Sequence, residues 1–393
     1  MCFYNGEEMK EYIQKIKKYF SKFEKLPQGF YMFHSLPDEP LQYRLHLRIE
    51  PTGCGVLIVN ASTVLHLNQT ATEFAYGIIQ RKSDEEIIKE INKRYSIDKN
   101  QLEKDFISFR EQLLTLINMP DLDPISYLGM EREPVYSCIQ APYRLDCALT
   151  YRVNSSDLAV APQDRASREL STEEWKHVIK KAFDAGIPHL IFTGGEPTLR
   201  DDLFNLLNYC EELGLVTGLV TDGKKLIDPN YLNKLLESGL DHLMLVSDPR
   251  DEKTWSSLEQ ILLEDIFTTM HLTLNVGENL YPYLDKLAVL RVNAVSLSSS
   301  KPDLENELNK LENYCAIKQI ELVWDIPVPY SHLNPITLEL EPEEKRDGAG
   351  SAWLYVEPDG DVLPAQGINR VLGNFLNQAW DDIWQEQSKR TIE

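Results

Sequence analysis

From Arg144 to about Ile326 the chain alternates short apolar runs with amphipathic segments, and this alternation restricts its fold more than any other feature. Strand-like runs read at residues 145–151, 189–193, 216–221, 242–247, 268–275, 294–298 and 322–326. Helical patterns open between them near Ser171, Asp201, Asn230, Asp251, Asn279 and Pro302. Repeated β–α units imply a parallel sheet with helices outside it. So many units in so short a segment suit a partial (β/α)6-type TIM barrel better than a closed eightfold one.

The second run breaks at Gly194-Gly195-Glu196-Pro197. A glycine pair lets the backbone turn sharply and approach a ligand where a Cβ would intrude. In α/β folds the C-terminal ends of strands are where ligands bind. A carboxylate there, Glu196, suits a ligand ammonium group.

The bulk numbers narrow the function classes. With 42% hydrophobic residues among 393, the chain can bury a sizeable core. A formal charge of −22 argues against gripping a nucleic-acid backbone, so no nucleic-acid partner is expected. No long apolar run and no signal-like start appear, so no membrane association is expected and the protein reads as soluble and cytoplasmic. Six cysteines, Cys2, Cys54, Cys138, Cys147, Cys210 and Cys315, are scattered, and none stands at CxxC or CxxxC spacing.

Ahead of the barrel the texture is different. Residues 7–26 carry Met9, Ile13, Ile16, Phe20 and Phe23 at helical spacing, and an irregular lead-in follows. Three strand-like runs, 43–50, 55–60 and 63–68, precede three helices. The second helix opens on Ser83 with Glu86, and the third on Asp98 with Gln101, which are capping-box spacings. This is an α+β winged-helix pattern. Its Gly55-Val56-Leu57-Ile58-Val59-Asn60 and Leu65-His66-Leu67-Asn68-Gln69-Thr70-Ala71 resemble the small PqqD-like domain, the recognition element of ribosomal-peptide maturation systems. The resemblance implies that a precursor or leader peptide binds here as an added strand. A winged helix also serves DNA binding, but the third helix is not basic.

The segment from residue 144 onward resembles the radical S-adenosylmethionine superfamily, in the branch with a C-terminal SPASM or twitch extension. Leu149-Thr150-Tyr151-Arg152 ends the first strand, the Gly194-Gly195-Glu196-Pro197 turn follows, and Thr221-Asp222-Gly223 stands where the family usually has Thr-Asn-Gly. Tyr355 to Pro364 and Gly373-Asn374 resemble the extension, a small hairpin followed by a helix. The domain plan is therefore 1–40 lead-in, 41–118 peptide-binding domain, 119–143 linker, 144–331 barrel and 332–393 extension.

The residues that the family's chemistry needs are missing. Three thiolates of a CxxxCxxC loop after the first strand normally hold a [4Fe–4S] cluster. Here the equivalent positions read Val153, Asp157 and Val160, and no cysteine lies between Cys147 and Cys210. After Leu363-Pro364, where the extension commonly has a cluster cysteine, stands Ala365. No cluster is expected, and natural degeneration explains Val, Asp and Val better than engineering, which favours Ala or Ser. Without the cluster no electron reaches the sulfonium. S-adenosylmethionine remains the ligand that the resemblance implies, more weakly held, with Gly194, Gly195, Glu196, Thr221, Ser247 and Asn275 about it. The expected role is a pseudoenzyme that binds a precursor peptide or a partner maturation enzyme. Two enzymatic alternatives stay open: a radical enzyme with unconventional or removed cluster ligands, and an iron-independent transferase using Asp157, Asp222 or Asp248 as base.

Overall fold

The computed structural model describes residues 26–36, 41–60, 63–95, 98–118, 141–154, 165–323 and 349–388. The chain divides into two compact units, Met1–Arg132 and Glu133–Glu393. The expected first helix, nearly all of the linker, the end of the last barrel strand and residues 332–348 lie outside the described residues.

The first unit is an antiparallel sheet backed by helices. Its strands are β1 (Gly29–His34), β2 (Arg44–Ile49), β3 (Gly55–Val59) and β4 (Thr63–Leu67), lying in that order. Helices α1 (Gln69–Ile79), α2 (Asp84–Arg94) and α3 (Lys99–Asn118) follow. Asn68 caps α1 by accepting from Ala71 N, and Ser83 with Glu86 forms a full capping box on α2. Leu45, Leu47, Ile49, Leu57 and Val59 pack with Ala75 and Ile79 of α1 and Leu113, Leu116 and Ile117 of α3. Strand β1 corrects the sequence reading, which took this stretch as irregular. Its run of aromatics lacks the two-residue alternation that marks a strand, and pairing with β2 supplies the order. Phe30 stacks on His46 at 5.8 Å and Phe33 on Tyr43 at 5.2 Å.

The second unit winds in one direction. Parallel strands β5 (Arg144–Thr150), β6 (His189–Gly194), β7 (Val216–Thr221), β8 (His242–Val246), β9 (Phe267–Leu274), β10 (Ala294–Ser299) and the short β11 (Glu321–Leu322) are neighbours in chain order. Every crossover therefore steps the same way, which is barrel winding rather than the reversal of a doubly wound sheet. Between them lie α4 (Thr172–Asp184), α5 (Leu203–Glu212), α6 (Pro229–Glu237), α7 (Glu252–Ile261), α8 (Tyr281–Leu290) and α9 (Glu305–Lys318). Helix α4 shows why they lie outside. Trp175, Val178, Ile179 and Ala182 fall on one stripe, and all four are buried against outward residues such as Leu190, Phe192 and Leu219. Ser171 and Glu174 form its capping box. On the inner face Ile191, Val220, Met244 and Val246 make a separate apolar cluster.

The C-terminal segment continues the same sheet. Strand β12 (Trp353–Val356) runs parallel to β5, pairing Trp353 with Arg144 and Val356 with Cys147. It turns through Gly360, at φ 93°, into β13 (Asp361–Leu363), followed by β14 (Gly373–Asn374) and α10 (Trp380–Ser388). The sequence foresaw the hairpin and helix, but not that the hairpin extends the barrel sheet beyond β5. No described helix is long and apolar enough to cross a membrane.

Candidate functional site

The break after β6 is a knot of backbone and side-chain bonds. Gly195 N donates to Thr150 O at 2.7 Å, and Glu196 N donates to Arg152 O at 2.8 Å. The loop leaving β5 thus lies directly on the turn. A Cβ at Gly194 would stand 2.3 Å from Thr150 O, and one at Gly195 2.2 Å from Arg152 O. Gly194 also holds φ 119°. The glycine pair is needed for this chain-on-chain approach, a cause the sequence did not reveal.

Glu196 is buried, 4% exposed, and its carboxylate is occupied from within. Oε1 accepts from Thr198 N at 3.0 Å, Thr198 Oγ1 at 2.6 Å and Thr221 Oγ1 at 2.8 Å. Oε2 accepts from Asp222 N at 2.8 Å. Burial, together with the charge of Asp222 alongside, pushes its carboxyl up to about 7 in spite of these donors. Asp222 in turn accepts from Asn154 of the β5 loop and pairs with Lys224 at 2.9 Å. Glu196 therefore latches the ends of β6 and β7 together rather than standing open to an ammonium group.

The expected residues divide accordingly. Glu196 and Thr221 meet. Ser247, at the end of β8, shares a 2.9 Å hydrogen bond with Thr254 Oγ1, and Asn275, just past β9, donates to Glu278 at 2.9 Å. Each is engaged locally. Val153 packs against the turn, its Cγ1 2.8 Å from where a Gly195 Cβ would be. Asp157 and Val160 lie outside the described residues. Ala365 is buried, 1% exposed, just beyond β13. Of the possible bases, Asp248 is tied to Arg250, which donates from Nε at 2.8 Å and Nη2 at 2.9 Å.

Among the described residues, no cysteines stand together where they could hold an iron–sulfur cluster. Cys147 of β5 and Cys210 of α5 sit in the core between sheet and helices, both 0% exposed. Burial holds both thiols well above the usual thiol range, so neither is a ready thiolate. The β5 loop carries no cysteine, and none follows Cys315.

Two features of the inner wall escaped the sequence. Thr193 Oγ1, on the same face of β6 as Ile191, is buried with no hydrogen-bond partner among the described residues. Farther round, His271 gathers Thr273, Ser296 and Ser298. Strand alternation, counted from the apolar outward residues, would have put all of these on one face.

Comparison with known proteins agrees with this architecture. Residues 147–246 match the radical SAM superfamily model, and residues 55–116 match that of coenzyme PQQ synthesis protein D (PqqD). The PqqA peptide cyclase of Methylobacterium sp. (strain 4-46) is 26% identical over 257 residues, covering 56% of this chain and 66% of that protein. The chain thus spans a little under two thirds of that relative's length. The PqqA peptide cyclase of Rhizobium meliloti (strain 1021) is 41% identical over 99 residues, 25% of each chain. Streptococcus suis SuiB bound to S-adenosylmethionine superposes with TM-score 0.57 at 16% identity, covering 86% of both chains. SuiB bound to its precursor peptide SuiA gives 0.56 over the same coverage.

Proposed function

We propose that this chain, which joins a PqqD-like front unit to a radical S-adenosylmethionine barrel fold, is a peptide-binding component of a ribosomal-peptide maturation system that generates no radical. The observation that carries this reading is the donor set. The loop that should hold three thiolates has none, and the two nearest thiols are sealed in a core.

The front unit supports the binding half. The sheet order β1-β2-β3-β4 makes β1 and β4 its terminal strands, and β4 is the one taken here as the peptide's edge. Strand β4 alternates cleanly, Thr63, Leu65 and Leu67 buried and Val64 and His66 exposed. A terminal strand offers main-chain donors and acceptors that an extended peptide satisfies. SuiB, which shares the fold, has been seen with a precursor peptide. S-adenosylmethionine belongs to this reading as a ligand of the inner wall. The partnerless Thr193 hydroxyl favours a bound polar group there, and Ser247 and Asn275 stand at neighbouring strand ends. Glu196 and Thr221 would shape that site from behind.

Two measurements test the reading. Incubated anaerobically with dithionite and S-adenosylmethionine, the protein should form no 5′-deoxyadenosine above a blank, and turnover would end it. With a synthetic peptide from the nearest short reading frame, amide exchange should slow along residues 63–67. Saturable binding without protection there would move the peptide site elsewhere.

A further inference from the structure

On the inner face β6 to β8 bring together Ile191, Val220, Met244 and Val246 beside the Thr193 hydroxyl and the His189–His242 pair, whereas β9 and β10 gather four polar side chains. Register sets His271 beside Ser296 and Thr273 beside Ser298. His271 Nδ1 lies 3.0 Å from Ser296 Oγ, and its Nε2 lies 3.1 Å from Ser298 Oγ and 3.3 Å from Thr273 Oγ1. Thr273 Oγ1 and Ser298 Oγ are 3.0 Å apart. His271 and Ser296 are buried, 3% and 8% exposed, whereas Thr273 and Ser298 are half-buried toward the C-terminal ends of the strands.

Counting hydrogens in this cluster leaves a remainder. A neutral imidazole supplies one N–H and one acceptor nitrogen, and the three hydroxyls supply one O–H each. If Nδ1 carries the proton it donates to Ser296, whose own hydroxyl hydrogen then has no acceptor in a buried position. If Nε2 carries it, Ser296 donates to Nδ1, the N–H goes to Ser298 or Thr273, and one of those hydroxyls donates to the other. One hydroxyl hydrogen is left over, now at the half-buried rim. An unmet buried donor costs about 1–3 kcal/mol, so the second arrangement is favoured. The ring itself is neutral, because burial holds its titration at about 4.

We propose that the rim of β9 and β10 is a binding site for a neutral hydrogen-bond acceptor, an amide carbonyl oxygen, which takes the surplus hydrogen of Ser298 or Thr273. Among the described residues, none of the four side chains bonds to a charged group. An anion buried there would lack a counter-charge, and a cation would meet a donor where it needs an acceptor. Water serves the hydrogen in the free protein, and a ligand that displaces water must present an acceptor of its own. This site lies in the barrel and does not depend on peptide capture by β4.

The test uses the full chain with ¹⁵N-labelled histidine imidazoles, His271 being assigned with His271→Gln. Long-range ¹H–¹⁵N spectra should show His271 as the neutral Nε2–H tautomer. Titration with N-methylacetamide should shift its resonances saturably, while acetate at matched ionic strength should not. The double substitution Thr273→Val with Ser298→Ala should weaken that response at least tenfold. The Nδ1–H tautomer, an equal response to acetate, or a response unchanged in the double variant would overturn the proposal. The tautomer is read on the unsubstituted protein, so a variant that fails to fold does not shield the idea.

Discussion

At the scale of single residues, Glu196 and the glycines before it do structural work that the shape of the motif conceals. Gly195→Ala would push a methyl group into Arg152 O, a backbone atom that cannot swing aside. Overpacking of this kind costs typically about 1–3 kcal/mol, so the thermal midpoint should fall by several degrees. An unchanged midpoint in a melting curve would show that the β5 loop does not rest on the turn. Glu196 also leaves a pH signature. Its folded carboxyl titrates at about 7, above the ordinary 4.5. The folded state then holds a proton that the unfolded chain has already released, so stability falls as pH rises from about 4.5 through 7. Denaturant titrations of Glu196→Gln should lack this slope relative to the parent chain. An identical slope would place the titrating group elsewhere.

Among the elements, caps and periodicity were the legible part. Ser83 with Glu86 and Ser171 with Glu174 sit at the spacing of a local motif, and both form complete capping boxes. The pairing of β12 with β5 was not legible because its partner lies far along the chain, and β1 was not because its aromatic run lacks a strand's alternation and takes its order from the neighbouring β2. The weld between β12 and the barrel is itself testable. Glu357, buried at the end of β12, accepts from Tyr151 Oη at 2.9 Å and pairs with Arg165 at 3.0 Å. Burial raises its carboxyl above the usual range, against the pull of Arg165. Removing one partner of a buried pair costs about 3–5 kcal/mol. Glu357→Ala should therefore loosen the hairpin, and limited proteolysis should cut near residues 357–361 faster than in the parent. Equal cutting rates would mean that strand pairing alone secures it.

For the whole molecule, alternation of strand and helix carried the reading of a partial barrel, and order of elements carried the winged-helix front unit. What the sequence could not give was the use of the site. Gly194, Gly195 and Glu196 look alike in one dimension whether they face a ligand or the chain's own loop. The hydroxyl cluster on β9 and β10 is likewise invisible without register. Cysteine count is different, since it needs no geometry at all. It also opens the absence of radical chemistry to a single measurement: iron and acid-labile sulfide, with an ultraviolet–visible spectrum, on protein reconstituted without oxygen. Iron should stand far below one cluster per chain, with no broad charge-transfer band. Stoichiometric iron and sulfide with that band would contradict it and return the barrel to radical chemistry on ligands other than the expected thiolates.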